Sequence, residues 1–396
     1  MTTPWQDRYT GAVMNTFGTP KLMLERGAGA HVWDVDGNEY IDMLAGIAVN
    51  SLGHAHPAIV EAVSTQLGTL GHISNLFASE PQLRLAERLV AMAGGDARVF
   101  LSNSGTEANE AALKVTRRTG RTKVVATEDS FHGRTMGALA LTATEAYRTP
   151  FEPLPGDVVW VPFGDADALA AAVDDTTAAV VVEPLQGEAG VNVPPRDYLL
   201  KVREVTAAHG ALMWVDEIQT GIGRTGTMLA HQNPELFDGE VVPDLLTLAK
   251  GLGGGVPIGA TLAYGKAAEL LVPGNHGTTF GGNPIATAAA NAVLDTIEAD
   301  DLLTHVEGVG EILRQGLAAD ARVTEVRGAG LMLGLTLDDT VDTGRLVEAG
   351  LAQGLILNVP RPGRVRLVPP LVLTVDDAEQ FLASFAKVLD VVGAAA

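Results

Sequence analysis

The 396-residue chain contains no cysteine, which leaves it without disulfides or thiolate metal sites. No apolar run reaches the roughly 18 residues that a membrane-spanning helix needs, and the first residues lack the basic-then-apolar pattern of a secretory signal. Basic residues are outnumbered, since 27 Lys and Arg face 48 Asp and Glu, giving a formal net charge of −21. This acidity disfavours nucleic acid and anionic membranes as partners. The lack of cysteine suits a cytoplasmic location.

Apolar residues make up 46% of the chain, so a large core is expected. Between about residues 58 and 280, short apolar segments alternate with helical ones, a pattern typical of a mostly parallel sheet covered by helices. The predicted strands are 99–101, 124–126, 158–161, 178–182, 212–215, 245–248 and 260–263. The predicted helices include 81–93, 107–119, 166–173 and 198–209.

The two ends of the chain have a different pattern of predicted helices and strands. Residues 31–42 alternate on both sides of a turn at Asp36-Gly37, which predicts a hairpin. The later part is predicted to hold helices 285–298 and 302–318, strands near 323–326, 331–337, 355–357 and 365–367, and a last helix from residue 376. We therefore divide the chain into an N-terminal segment, a large middle domain and a smaller α+β domain, over residues 1–52, 53–283 and 284–396.

Two polar residues follow buried apolar segments of the predicted sheet. Asp216 follows residues 212–215, and Lys250 follows residues 245–249. Ligands of open α/β sheets bind beyond the carboxyl ends of the strands, so both side chains are expected at one site. Pyridoxal 5′-phosphate (PLP) needs a lysine for its Schiff base and an acid beside its pyridinium nitrogen. Singly, such an Asp is more often a turn residue and such a Lys a solvated one, so the hypothesis depends on the other motifs.

One of these motifs, Ser104-Gly105-Thr106, follows a predicted strand and opens a helix. Free N–H groups and the helix dipole favour an anion at such a position. Gly105 would let the backbone approach the anion, and Thr106 would add a hydroxyl donor. Alone the motif is an ordinary N-cap, with Ser104 or Thr106 as the cap. Beside Asp216 and Lys250, phosphate binding becomes the better interpretation.

Other side chains with two interpretations also follow predicted strands. Phe131 could stack on a pyridine ring or belong to the core, and Arg134 could bind a substrate carboxylate or be a surface arginine. Glu183 and Glu188 could be general acid and base; alternatively, one is structural and the other meets an arginine. Gln219 could bond a ring oxygen or stabilise its own loop.

Two later motifs add candidate ligands. The paired threonines Thr278 and Thr279 lie in a glycine-rich turn and could give another hydroxyl to a phosphate, while Arg366 on a late strand could meet a second carboxylate. His54 and His56 form a His-x-His pair, but no third metal ligand lies near them in sequence. We therefore predict a turn before a helix near residue 57, and no metal site.

Together these motifs resemble those of the class III PLP aminotransferases, over residues 18–375 or so. The segments 216–221 (DEIQTG) and 104–109 (SGTEAN), with Lys250, carry the resemblance. It is greatest to members that act on N2-acetylornithine, through residues 44–49, 53–57, 73–77 and 276–284. The resemblance implies α/β fold type I, with a large mostly parallel-sheet domain and a smaller α+β domain from both chain ends. It also implies a homodimer with shared active sites.

The resemblance further assigns roles to matching residues. Those implied to hold PLP are Lys250 at its reactive carbon, Asp216 at the pyridine nitrogen, Gln219 at the phenolic oxygen, Phe131 on the ring, Gly105 and Thr106 at the phosphate, and Thr279 at the phosphate of the other subunit. Those implied to bind substrates are Arg134 and Thr278 at the acetylamino-acid end of the donor, Arg366 at a carboxylate of 2-oxoglutarate, and Glu188, which pairs with Arg366 while the donor is bound.

The implied activity is a two-step transamination in arginine biosynthesis. N2-acetyl-L-ornithine would give its δ-amino group, leaving N-acetyl-L-glutamate 5-semialdehyde, and 2-oxoglutarate would take the amine and become L-glutamate. Ile47, where ornithine δ-aminotransferases have an aromatic residue, disfavours free ornithine as the main donor. Ala78, where relatives often have Tyr, leaves room in the donor pocket.

Three alternatives stay open at this point. The first is a sister transaminase acting on succinylornithine, ornithine or 4-aminobutyrate. The second is a PLP mutase or racemase, which would need no 2-oxoglutarate. The third is a non-catalytic binding protein, against which Lys250 and Asp216 argue, because a binder needs no Schiff-base amine.

Overall fold

The computed structural model describes residues 3–393 of the chain. Its first elements are a helix and an antiparallel three-stranded unit, namely α1 (Pro4–Ala12), β1 (Leu24–Ala28), β2 (His31–Asp34) and β3 (Glu39–Asp42). The predicted hairpin over residues 31–42 is confirmed, since His31 pairs with Ile41 across β2 and β3. Asp34 closes the turn by accepting hydrogen bonds from the N–H groups of Asp36 and Asn38 at 3.0 and 2.9 Å.

The middle of the chain alternates helices and strands as its apolar pattern predicts. These elements are α2 (Ala45–Ala48), α3 (Pro57–Thr69), α4 (Glu80–Met92), β4 (Ala97–Ser102), α5 (Gly105–Arg117), β5 (Lys123–Thr127), α6 (Met136–Leu141), α7 (Glu145–Arg148), β6 (Asp157–Val161), α8 (Ala166–Ala172), β7 (Thr177–Val182), α9 (Tyr198–His209), β8 (Leu212–Asp216), β9 (Leu245–Leu248) and β10 (Gly259–Tyr264). Short 3₁₀ turns lie at Thr149–Phe151, Ala230–Gln232, Lys250–Gly253 and Gly265–Glu269.

Seven of these strands form one central sheet in the order β4-β10-β9-β8-β7-β5-β6. Only β10 runs antiparallel to its neighbours, so the predicted α/β architecture with a mostly parallel sheet is confirmed. All six residues of β7 are buried, as expected for a parallel strand covered on both faces. Since the parallel strands end at one edge, the polar residues that follow them meet there.

The last part of the chain adds α10 (Pro284–Ala299), α11 (Leu302–Ala318), β11 (Val323–Ala329), β12 (Met332–Leu337), α12 (Thr343–Ala352), β13 (Leu355–Ile356), β14 (Asn358–Arg361), β15 (Arg364–Leu367) and α13 (Val375–Gly393). The four strands β11-β12-β15-β14 form an antiparallel sheet. Strand β13 pairs in parallel with β3, so the two ends of the chain share a sheet. Helix α12 and strand β14 were not predicted, because Gly344 and Gly350 interrupt the apolar period of the helix and Pro360 interrupts the edge strand.

The segment α2 is a left-handed turn. Ala45, Gly46, Ile47 and Ala48 have φ values of 50°, 64°, 67° and 61°, a conformation that L-residues other than glycine adopt only at an energetic cost. Asp42 holds its start by accepting from the N–H group of Ala45 at 2.8 Å. The turn therefore persists because its surroundings fix it.

No helix among residues 3–393 is long and apolar enough to cross a membrane.

Candidate active site

A cavity of about 390 Å³ opens at the carboxyl edge of the central sheet. Its walls come from the segments that follow β4, β5, β7, β8 and β9, together with Val49 from the turn after α2. The cavity brings together seven of the residues predicted from the sequence, namely Gly105, Thr106, Phe131, Arg134, Asp216, Gln219 and Lys250.

Asp216 is the last residue of β8 and is only 4% exposed. Its Oδ2 accepts from Asn109 Nδ2 at 2.8 Å and pairs with His132 Nδ1 at 2.7 Å. Its Oδ1 accepts from the N–H group of Ile218 at 3.0 Å. Three donors thus orient the Asp216 carboxylate at the cavity and favour its charged form. A carboxylate that binds a cationic nitrogen must be charged and oriented in this way.

His132 follows Phe131 directly in the sequence, where no motif assigns it a role. Its ring is buried, and Nε2 has no hydrogen-bond partner among the described residues. Burial acts to lower the pKa of His132, but the hydrogen bond and charge of Asp216, with the charge of Glu183, raise it overall. His132 and Asp216 therefore form a charge-assisted pair in the wall of the cavity.

Lys250 begins the turn after β9, with a φ of 40° that is uncommon for a non-glycine residue. Burial lowers the pKa of Lys250 to about 8; the charge of Arg366 also lowers it, while Glu188, Glu183 and Asp216 oppose the shift. At pH 7 roughly a tenth of such an amine is neutral, against about one part in three thousand at the ordinary pKa. The neutral amine is the nucleophile that Schiff-base formation needs.

The motif at the start of α5 forms one end of the cavity. Ser104 is the N-cap, because its hydroxyl oxygen accepts from the N–H group of Glu107 at 3.3 Å. A Cβ on Gly105 would lie 2.8 Å from Ile218 Cγ2, so a side chain there would have to displace Ile218. The Thr106 hydroxyl is not used as a cap and lies 2.7 Å from that of Thr135. The first N–H groups of a helix have no partner within it, so this end suits an anion.

Phe131 and Arg134 line the cavity from the segment that follows β5. Phe131 is half-buried, and its N–H group donates to Glu183 Oε1 at 3.0 Å. The Arg134 guanidinium carbon lies 3.4 Å from the ring centre of Tyr147 and 5.5 Å from that of Phe131. Among residues 3–393, no carboxylate lies within ion-pair distance of Arg134, so its guanidinium is available to an external carboxylate.

The two carboxylates after β7 have different surroundings. Glu183 is 5% exposed, and burial raises its pKa to about 8. Glu188 pairs with Arg366 Nη1 at 2.6 Å; burial acts to raise its pKa, but the charges of Arg366 and Lys250 lower it overall. This geometry fits the alternative in which one carboxylate is structural and the other meets an arginine.

Arg366 lies on β15 and is 1% exposed. Besides Glu188, it donates from Nε to Asn358 Oδ1 at 3.0 Å and from Nη1 to Gln219 Oε1 at 3.1 Å. Gln219 Nε2 in turn lies 3.4 Å from Glu188 Oε1. Gln219 therefore links the cavity wall to the Glu188–Arg366 pair.

The remaining predicted residues lie outside the cavity wall. The Thr278 hydroxyl oxygen accepts from Asn103 Nδ2 at 3.1 Å, which places it beside the motif at α5. Thr279 is exposed, and its role at the phosphate of another subunit stays a prediction. His54 Nε2 pairs with Asp42, and His56 caps α3 at its predicted start. No group of three possible metal ligands occurs within the part of the chain that the structure describes.

A cavity with an amine and an oriented carboxylate at this edge of such a sheet is the arrangement that a PLP enzyme of fold type I requires. The family model of class III aminotransferases matches residues 13–389. The chain belongs to this family.

Relatives of known name agree with this assignment. An acetylornithine aminotransferase of Mycolicibacterium smegmatis is 55% identical over 388 residues, covering 97% of this chain and 98% of that protein. The solved N-acetylornithine aminotransferase of Stenotrophomonas maltophilia has a TM-score of 0.82 at 38% identity, covering 95% of this chain and 98% of its own. The ornithine aminotransferase of Toxoplasma gondii, whose active site is partly occupied by PLP, has a TM-score of 0.91 at 33% identity, covering 98% of this chain and 94% of its own.

Proposed function

We propose that the chain catalyses the transfer of the δ-amino group of N2-acetyl-L-ornithine to 2-oxoglutarate, in arginine biosynthesis. The products are N-acetyl-L-glutamate 5-semialdehyde and L-glutamate. The observation that carries the proposal is the Glu188–Arg366 pair, at 2.6 Å, in a site that also holds Lys250 and Asp216. Such a pair covers a carboxylate-binding arginine until a dicarboxylate arrives. The names and identities of the relatives support the same reaction.

The cofactor is PLP, which the residues of the cavity fit. When bound, PLP supplies an electron sink for the carbon that bears the amine. Lys250 would hold its reactive carbon and Asp216 its ring nitrogen, while the start of α5 suits its phosphate because the first N–H groups of that helix have no partner within it. The other residues assigned to it are Thr106 at the phosphate, Phe131 on the ring, Gln219 at the phenolic oxygen and Thr279 at the phosphate of the second subunit.

The reaction needs two binding modes and one proton carrier. Arg134 and Thr278 would bind the acetylamino-acid end of the donor, while Glu188 neutralises Arg366. Lys250 Nζ would then take a proton from the δ-carbon, a role for which its lowered pKa suits it. When 2-oxoglutarate binds, Arg366 would release Glu188 and hold the substrate carboxylate in a bidentate contact.

A homodimer, a cytoplasmic location and two domains complete the proposal. Among the exposed large apolar side chains, five lie within residues 67–77 and at residue 280, namely Leu67, Leu70, Leu76, Phe77 and Phe280. Asn75 ties two of these segments together by donating to the carbonyl of Gly281 at 3.0 Å. Exposed apolar clusters favour a protein interface. The pairing of β3 with β13 supports a smaller domain made of residues 1–52 and 284–396, of which residues 1, 2 and 394–396 lie outside the described residues.

The proposal is tested by the visible absorption of the cofactor-loaded protein. N-acetylornithine without acceptor should bleach the band of the lysine-bound cofactor, and 2-oxoglutarate should restore it. Bleaching by free ornithine, succinylornithine or 4-aminobutyrate at a higher kcat/KM would assign a sister donor instead. Turnover of a single substrate without 2-oxoglutarate would show a mutase, and a protein that never acquires the band would not be a PLP enzyme.

A further inference from the structure

Glu188 lies on a short loop that we call the Glu188 loop, residues 186–192. Gln186 and Asn192 close the loop by exchanging two backbone hydrogen bonds of 3.1 Å. Gly187 approaches the cavity so closely that a Cβ there would lie 1.9 Å from Gln219 Oε1. The position of Glu188 against Arg366 is therefore set by how this loop is held.

Val191 anchors the loop in the C-terminal sheet. It is fully buried and has a φ of 62°, which is a genuine outlier for a β-branched residue. A Cβ on Gly334 would lie 2.8 Å from Val191 Cβ, and one on Gly328 would lie 3.1 Å from Val191 Cγ1. Two glycines of the β11–β12 ladder thus leave a notch that Val191 fills, and the surrounding contacts hold the loop in a strained conformation.

Arg327 fastens the same loop from β11. Its Nε donates to the Val191 carbonyl at 2.9 Å and its Nη2 to the Gly190 carbonyl at 2.6 Å. Its Nη1 is fixed in turn by Glu325 Oε2 at 2.8 Å and Thr336 Oγ1 at 2.7 Å. The Arg327 side chain is 10% exposed, so these bonds are shielded from competing water.

We propose that Arg327 is a positioning residue that holds the Glu188 loop in the state where Glu188 covers Arg366. The inference rests on the proposed function, in which Glu188 must leave Arg366 before 2-oxoglutarate can bind. A ligand that binds only one of two states has an apparent affinity reduced by the fraction of protein in that state. Arg327 therefore limits how readily the enzyme accepts dicarboxylates and keeps Arg366 covered while the monocarboxylate donor reacts.

The experiment is a calorimetric titration of cofactor-loaded enzyme with glutarate, a dicarboxylate that has the length of 2-oxoglutarate but no keto group. Arg327→Met should lower the glutarate dissociation constant about tenfold, as expected when a hydrogen bond from a charged group no longer favours the closed state. Loss of a nearby positive charge alone would change the affinity of a dianion in the opposite direction. The matched control is Arg322→Met, which breaks ion pairs of 2.7 Å with Asp320 and Asp390, neither of which belongs to the loop, and should leave glutarate binding unchanged.

The double variant decides whether Arg327 acts through Glu188. In a Glu188→Ala background, Arg366 is already uncovered, so Arg327→Met should no longer change the glutarate dissociation constant. An equal effect in both backgrounds, or weaker binding in the single variant, would overturn the positioning role and leave the proposed function intact. If Glu188→Ala itself does not tighten glutarate binding, the proposed role of Glu188 as the group that covers Arg366 fails, and the inference fails with it. Kinetically, Arg327→Met should lower KM for 2-oxoglutarate and raise KM for N-acetylornithine.

Discussion

The pair formed by His132 and Asp216 allows a quantitative prediction for cofactor binding. Replacing His132 by Leu removes a bond of 2.7 Å to a carboxylate that is 4% exposed, leaving Asn109 and one N–H group as its donors. Hydrogen bonds to charged groups contribute about 1.5–3 kcal/mol, which corresponds to about 10- to 100-fold in an equilibrium constant. The bond exists before PLP binds, so only its strengthening by the bound pyridinium affects the affinity. We therefore expect the dissociation constant of PLP to rise about tenfold, the lower end of this range, in equilibrium dialysis against apoenzyme.

A second buried histidine provides the matched control. His231 Nδ1 pairs with Glu217 Oε1 at 2.6 Å and is 2% exposed, yet it does not line the cavity. His231→Leu should therefore lower the melting temperature about as much as His132→Leu while leaving PLP affinity within about twofold of wild type. His132→Asn, which can present an amide N–H near the position of Nδ1, should recover part of the affinity. Wild-type PLP affinity in His132→Leu, or equal losses in both Leu variants, would refute the role of the pair.

Three further predictions follow from neighbouring residues. Lys250→Ala should keep the melting temperature of the apoenzyme but lose turnover and the visible band; near-normal turnover would contradict its role. Because burial raises the pKa of Glu183 from 4.5 to about 8, the stability that its protonated form contributes is full below pH 4.5 and is lost as pH rises to about 8. In urea titrations of the apoenzyme, Glu183→Gln should show a shallower loss of stability over that window, and identical pH slopes would argue against the shift. Ile47→Asn, which puts a residue tolerant of left-handed φ into the turn, should raise the free energy of unfolding by about 1 kcal/mol; a loss of stability would show that no strain resides there.

The strands of the central sheet were predictable because each is an apolar run with polar residues at its ends. The same rule placed Asp216 and Lys250 at one edge of the sheet, where both line one cavity. This rule could not identify the partners of Asp216. His132 and Asn109 lie 84 and 107 residues earlier in the chain, and no local sequence pattern links them to Asp216. Only the folded sheet brings them together.

The Glu188–Arg366 pair shows another limit of local patterns. Its residues are 178 positions apart, and the pairing was expected from the family resemblance alone. Neither the spacing nor the composition of the chain could distinguish Arg366 from a surface arginine. The notch for Val191 was equally hidden, because a glycine in a strand indicates a close approach without naming what approaches.

The pairing of β3 with β13 has a consequence for how the protein forms during synthesis. Leu355 of β13 pairs with Ile41 of β3. At ordinary elongation rates β13 leaves the ribosome roughly 15–60 s after β3, so β3 stays unpaired on that side for this time. The central sheet lies entirely between these two strands in the chain and can assemble first. Until translation nears its end, β3 presents an open edge to other nascent chains, and that edge is where misassembly is expected to begin.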